Sequence, residues 1–158
     1  MSPHWIPAHT ITRHLVETVN DPAHVQRTDT PEFRAAKRRL KQDGHYRCYI
    51  CGTTAHIQIH HYGAEWMFAP MVDFHALQAF LLEWDVYGYS HLLQHQPLTS
   101  VDDVRNCMAL CQEHHLSGPA DGAANGIHDI TFPAWISQKF VQSGHETVPE
   151  DDAPLDGQ

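Results

Sequence analysis

Two short stretches of the chain concentrate side chains that bind metal ions. The first begins with Cys48 and Cys51 and continues to the adjacent pair His60 and His61. The second begins at Asn106 and adds two more cysteines and a second histidine pair, in the order Cys107, Cys111, His114, His115. Thiolates and imidazoles are the ligands that zinc prefers, with paired ligands on each of two segments. The two stretches therefore carry enough donors for two separate metal positions.

The spacing of four of these residues predicts a structural zinc site. Two residues separate Cys48 from Cys51, and two residues separate Cys111 from His114. A Cys₃His set of this kind would pin two distant segments together. Cys107 is an alternative ligand, because it lies four residues before Cys111. A disulfide or unpaired thiols are the alternatives to a metal.

The residues left over, His60, His61, Asn106 and His115, suit the hydrolysis of a phosphodiester. This reaction needs an activated water, a cation on the phosphate and a defined geometry. Side chains of adjacent residues on a strand point to opposite faces, so one histidine can bind a metal while its neighbour faces the water. An amide side chain can hold the base imidazole in the useful tautomer.

The order of these residues resembles the HNH endonuclease family, the ββα-metal fold, in its zinc-bearing form. Ile59-His60-His61-Tyr62 matches the strand motif of that family, and the stretch from Asn106 to His115 matches its last motif. The resemblance covers residues 44–118, apart from the insert between the half-sites. It implies that the structural zinc is bound by Cys48, Cys51, Cys111 and His114, with His114 where the family usually has a cysteine.

The resemblance also implies roles for the other residues. His60 and His115 would bind the catalytic cation, such as Mg²⁺, Mn²⁺, Ni²⁺ or Zn²⁺; His61 would be the general base, and Asn106 would orient it. Tyr62 stands in place of the family's aliphatic residue, and the insert is longer than the family's loop. Members of the family occur in phages, mobile elements, restriction systems and repair, and the resemblance does not choose among them.

A basic helix is predicted before the first half-site. Thr30 is a good N-cap and Pro31 a good first residue, so the helix is expected over 31–42, with Gly44 ending it. Its basic residues are candidate DNA contacts, namely Arg34, Lys37, Arg38 and Lys41. The alternative is that they form an ordinary solvated helix face.

The first half-site is predicted to be a β-hairpin. Residues 46–51 would form one strand, the two cysteines the turn, and the alternating residues 55–62 the returning strand. The insert, residues 63–105, is expected to be helical, with an aromatic stripe over 72–89 that packs in the core and offers a candidate surface for a protein partner.

The fold class expected is α+β: an HNH core with a structural zinc, flanking helices and a long helical insert. Residues 1–30 are interpreted as an N-terminal extension with a short helix near 10–19, and 31–145 as the HNH-type domain. Residues 100–103 are expected to be a loop or cap, and 135–142 a final helix. His128 lies in a compact turn; a loop histidine capped by Asp129 is the preferred interpretation, and His128 is kept as an additional candidate for the cation.

Charge and composition set limits on function. The formal net charge is −9, which argues against generic nucleic-acid binding. However, six of the ten basic residues lie between Arg34 and Arg47, and five acidic residues lie in 146–158, a tail expected to be disordered. No apolar run is long enough for a bilayer and no signal peptide is evident, so a cytoplasmic location without membrane association is expected.

Three functions are therefore weighed. The preferred one is a DNA endonuclease that nicks or cuts by one-metal hydrolysis, because a purely structural role would need only the Cys₃His site. The second is a catalytically silent, zinc-stabilised module that binds DNA or protein, or acts as an inhibitor. The third is a redox or metal-storage protein built on the 15 histidines, although nothing positions them for it.

Overall fold

The computed structural model describes residues 28–116, 126–129 and 138–143. The helix expected near 10–19 and the acidic tail lie outside these ranges. The described ranges contain helices α1 (Pro31–Gln42), α2 (Phe74–Glu83), α3 (Tyr89–Leu92) and α4 (Gln112–Leu116), strands β1 (Ile57–His61) and β2 (Cys107–Cys111), and 3₁₀ helices at Trp66–Met71, Val104–Asn106, Ile127–Asp129 and Gln138–Phe140.

Helix α1 has the predicted bounds, because its end signals are local. The Thr30 hydroxyl accepts a hydrogen bond from the Phe33 N–H at 3.0 Å. Gly44 follows the helix with a φ of 78°, a conformation that glycine adopts without strain. The apolar face of α1, formed by Phe33, Ala36 and Leu40, is buried against Ile59 and Ala109 of the sheet.

The sheet joins the two half-sites. Strands β1 and β2 pair antiparallel, with Ile57 opposite Cys111 and His61 opposite Cys107. The predicted hairpin is therefore wrong, because the partner of β1 is the second half-site. Residues 46–51 instead form a tight turn, in which the Cys48 N–H donates to Thr53 O at 2.8 Å.

About half of the insert is helical, and its apolar residues form a core cluster with Tyr62 and Phe140. Leu77, Phe80 and Leu81 of α2 are buried against Tyr62 and Phe140. The stripe is interrupted by Trp84, which is 54 % exposed and stacks on Phe80.

The final helix expected over 135–142 is not found in the residues described there. Residues 138–140 form a single 3₁₀ turn, and Val141 forms an antiparallel bridge with Val72. Residues 135–137 lie outside the described ranges. The bridge fastens this segment to the insert, where Phe140 is buried.

The chain is thus of mixed α+β class, with helices around a two-stranded antiparallel sheet. Helix α4 follows β2 without a break, so the order at the site is strand, strand, helix. In the described ranges no helix combines the length and apolarity that a membrane crossing requires.

Candidate metal and catalytic site

The first candidate site is a cluster of three sulfurs and one imidazole. The turn of residues 48–51 supplies Cys48 and Cys51, the end of β2 supplies Cys111, and α4 supplies His114. One ligand atom from each of the four lies within 4.8 Å of the others. His114 Nδ1 is 3.1 Å from Cys111 Sγ and 3.6 Å from Cys48 Sγ. This cluster could hold a metal ion, as the sequence predicts.

Two of the alternatives, a disulfide and Cys107 as a ligand, do not match the geometry. The four cysteines, all within the described part of the chain, form no disulfide. Cys107 is completely buried in the cluster of residues packed against α1. Its thiol donates to Asp103 O at 3.4 Å, so it lies away from the other three sulfurs.

The electrostatics of the cysteine cluster favour a thiolate. Burial raises the pKa of the Cys48 thiol, but the backbone of Cys111, Cys51 and Ile50 outweighs it and lowers that pKa to about 6. The pKa of Cys51 is raised: the backbone of Thr53 lowers it, but burial and the neighbouring sulfurs raise it more. Because metals bind the thiolate form, Cys48 is the cysteine of this cluster whose environment favours binding to a cation.

The second candidate site is a cluster of three imidazoles. β1 supplies His60, α4 supplies His115, and the 3₁₀ helix of 127–129 supplies His128. Their nearest ring nitrogens all lie within 4.8 Å of one another, and His115 Nε2 is 3.0 Å from His128 Nε2. The preferred interpretation of His128 from the sequence is a loop histidine capped by Asp129. The structure also brings His128 to both predicted cation ligands, His60 and His115, as its role as an additional candidate for the cation requires.

The buried position of His60 fits a metal. Its side chain is 1 % exposed, and neither ring nitrogen has a hydrogen-bond partner among the described residues. Burial, followed by the nearby His128 and His115, lowers the pKa of His60 to about 2. Burial and His128 likewise lower the pKa of His115 to about 4. Both rings are therefore neutral and offer lone pairs, the form that binds a metal.

His61 lies on the opposite face of β1 from His60, as predicted. Its Nε2 is 2.8 Å from Asp102 Oδ1, and both side chains are buried. The other Asp102 oxygen accepts a hydrogen bond from the Thr30 hydroxyl at 2.7 Å. The ring of His61 stacks on Phe33, with 5.1 Å between centroids. Helix α1 and the insert therefore fix the position of this imidazole.

An open cavity of about 270 Å³ lies at this end of the strand. Its lining includes the three imidazoles of the cluster and His61, together with Glu65 and Trp66 at the start of the insert. The candidate cation ligands and His61 therefore line one cavity, of which His61 contributes little exposed surface, since it is 2 % exposed.

The side-chain hydrogen bonds of Asn106, the predicted orienting residue, go to backbone groups and not to His61. Its Oδ1 accepts from the backbone N–H groups of Gly63 and Ala64 at 2.9 and 3.1 Å. Its Nδ2 donates to Ala64 O and Val101 O, both at 2.8 Å. These four bonds use the whole capacity of the amide. Asp102, which sequence reasoning treated as part of a loop or cap, is the residue hydrogen-bonded to His61.

The basic face of α1 is partly occupied by local contacts. Lys37 forms an ion pair with Asp29 at 2.5 Å, and Arg34 donates to the backbone oxygen of Asp29. Lys41 lies over the ring of Tyr46 and remains exposed, as does Arg38. Of the four candidate DNA contacts, Arg38 and Lys41 are the better placed.

Comparison of the chain with protein-family models, with curated proteins and with solved structures finds no match. The functional conclusion therefore depends on the geometry of the two clusters and of His61.

Proposed function

We propose that the protein is a metal-dependent DNA endonuclease of the HNH type. The observation that carries the proposal is the convergence of three imidazoles on a cavity that His61 also lines. A cation site beside a histidine held by a buried carboxylate is the minimum that one-metal phosphodiester hydrolysis needs. The cysteine cluster beside it would take a structural zinc, because its three sulfurs and one nitrogen are a common zinc set.

In this proposal the chain's own residues handle the proton. Because the Nε2 of His61 is bonded to Asp102, its Nδ1 is the nitrogen that accepts a proton from water as the water oxygen attacks phosphorus. Asp102 holds the ring in that tautomer and stabilises the imidazolium that forms. The bond from phosphorus to the 3′ oxygen then breaks. A divalent ion on His60, His115 and His128 would neutralise charge on the phosphate and the leaving oxygen.

The DNA would approach along α1. Arg38 and Lys41 are exposed on that helix, whose buried face contacts the strand that carries His60 and His61. Contacts of this kind position a phosphate backbone without reading its sequence. This limited basic surface suits a protein whose formal net charge is −9.

The test is cleavage of supercoiled plasmid by the zinc-loaded protein with Mg²⁺, Mn²⁺, Ni²⁺ or Zn²⁺. We expect metal-dependent nicking that falls by about 10²- to 10⁴-fold in His61→Ala, the usual contribution of a general base. His75→Ala is the matched control, because His75 is exposed on α2. A folded, zinc-loaded wild-type protein that cleaves with none of these ions would overturn the proposal, as would full activity in His61→Ala.

A second candidate function is a catalytically silent, zinc-stabilised binding module. Two observations favour it: His61 is only 2 % exposed, and the turn between the cysteines exposes Tyr49 and Ile50 by 51 % and 63 %. Such a turn would offer two apolar side chains to DNA or to a protein. Binding of DNA without cleavage, weakened in a Tyr49→Ala/Ile50→Ala double variant, would favour this module over the nuclease.

A further inference from the structure

The Nδ1 atoms of the three clustered histidines face side-chain oxygens. His115 Nδ1 is 2.6 Å from the amide oxygen Oε1 of Gln58. Glu65 Oε1 is 3.5 Å from His60 Nδ1 and 3.9 Å from His128 Nδ1. Gln58 and Glu65 therefore surround the cluster from β1 and from the start of the insert.

The Gln58 oxygen, at hydrogen-bond distance, favours hydrogen on Nδ1 of His115, whereas the Glu65 carboxylate lies within ion-pair distance of Nδ1 of His60 and His128 without a hydrogen bond to either. A carboxylate and an amide oxygen accept hydrogen bonds and cannot donate them. An oxygen that faces Nδ1 therefore favours the tautomer with hydrogen on Nδ1 and a lone pair on Nε2. Histidines that bind metals usually donate their other N–H to such an oxygen, which also fixes the direction of the ring.

The distance between two of the Nε2 atoms agrees with this assignment. If His115 and His128 both carry hydrogen on Nδ1, their Nε2 lone pairs face each other at 3.0 Å. Two such lone pairs repel unless a cation lies between them. Two nitrogens bound to one tetrahedral ion at 2.0–2.1 Å are about 3.3 Å apart, close to the observed separation.

We infer that Gln58 and Glu65 are positioning residues that present the Nε2 atoms of His60, His115 and His128 to one ion. A site with three imidazole nitrogens favours Zn²⁺, Ni²⁺ or Co²⁺, whereas Mg²⁺ prefers oxygen ligands. The centre therefore binds a nitrogen-preferring transition ion in preference to Mg²⁺. This inference concerns the cation site of the proposed nuclease, but it does not require cleavage.

Metal binding to the full chain tests the inference directly. The protein is loaded with one equivalent of zinc, and Co²⁺ is then titrated while visible absorption and heat are recorded. We expect the wild-type protein to bind one further equivalent, and millimolar Mg²⁺ to leave that binding unchanged. Gln58→Leu and Glu65→Leu should each weaken the second site by about 10- to 100-fold.

Conservative variants separate positioning from simple packing. Gln58→Glu and Glu65→Gln keep an oxygen acceptor and should retain most of the Co²⁺ affinity that the leucine variants lose. Glu83→Gln and Gln94→Leu are matched controls, since both residues are exposed and outside the cavity lining. Circular dichroism of each variant reports whether it keeps the native fold.

Several outcomes would overturn the inference: no second equivalent in the wild type, equal competition by Mg²⁺, or wild-type affinity in both leucine variants. Its failure is distinguishable from failure of the nuclease proposal. A second ion that depends on Gln58 and Glu65, in a protein that cleaves no DNA, supports the inference and refutes the nuclease. Leucine variants that bind Co²⁺ as tightly as the wild type and still cleave plasmid would refute the inference and support the nuclease.

Discussion

Replacement of Asn106 by alanine should reduce the stability of the protein more than any exposed amide replacement. The change removes two donors and an acceptor that together serve four backbone groups, namely the N–H of Gly63, the N–H and C=O of Ala64, and the C=O of Val101. Asn106 is 0 % exposed, so water reaches these groups only if the surrounding structure opens.

The size of the effect follows from the number of groups left without partners. Each unsatisfied buried group costs about 1–3 kcal/mol, which gives an upper range of about 4–12 kcal/mol for four. A water entering the new space would recover part of this loss. We therefore expect a fall of about 3–5 kcal/mol in the free energy of unfolding, a large share of the 5–15 kcal/mol typical of a domain.

The assay is denaturant unfolding of the metal-loaded protein, with Gln78→Ala as the matched control. Gln78 also makes three bonds to backbone groups, those of Leu98, Gln94 and Gln96, but at a half-buried position that water can reach. Its replacement should cost less than about 1 kcal/mol. Equal unfolding midpoints for the two variants would refute the reasoning. If Asn106→Ala keeps wild-type stability but loses DNA cleavage, the result would instead support the predicted role of Asn106 in orienting the base.

Other predictions concern the cysteine cluster and one buried acid. Cys48→Ala should lose about one equivalent of bound metal and its cooperative thermal transition, because metal binding there contributes folding free energy. Cys107→Ala should keep its metal. Wild-type metal content in Cys48→Ala would contradict the proposed ligand set. Asp85 accepts hydrogen bonds from the backbone of Ser90 and His91 and from the His91 ring. Burial would raise the pKa of Asp85, but the bonds from His91 and Ser90 outweigh it and lower that pKa. Asp85→Asn should therefore be less stable than wild type above the ordinary pKa of about 4, and the difference should disappear as the pH falls through the lowered value. A constant difference in denaturation midpoints down to pH 2 would contradict this.

Features with local causes were predictable from the sequence. The bounds of α1 follow from Thr30, Pro31 and Gly44, which act within one turn of the helix. The opposite directions of His60 and His61 follow from the alternation of side chains in a strand. The cysteine cluster was also predictable, because its chemistry restricts the ligands to few residues.

Features with distant causes were not predictable in the same way. Strand β2 is a mainly apolar run between Cys107 and Cys111 with no alternation to mark it, and a hairpin within the first half-site was the simpler pairing. Asp102 has the local signature of a loop or cap, and only the folded chain brings it to His61. His128 joins the cluster for the same reason, since nothing in its own turn indicates a partner.

The interactions that build the two clusters and hold His61 join residues far apart in the chain. Cys48 and His114 are separated by 66 positions, Gln58 and His115 by 57, and His61 and Asp102 by 41. Closing loops of this size costs chain entropy that is recovered only when the distant strand and helix have docked. A nascent chain that ends before β2 therefore contains neither cluster. The protein therefore acquires its metal-binding capacity only after Cys111, His114 and His115 have been translated.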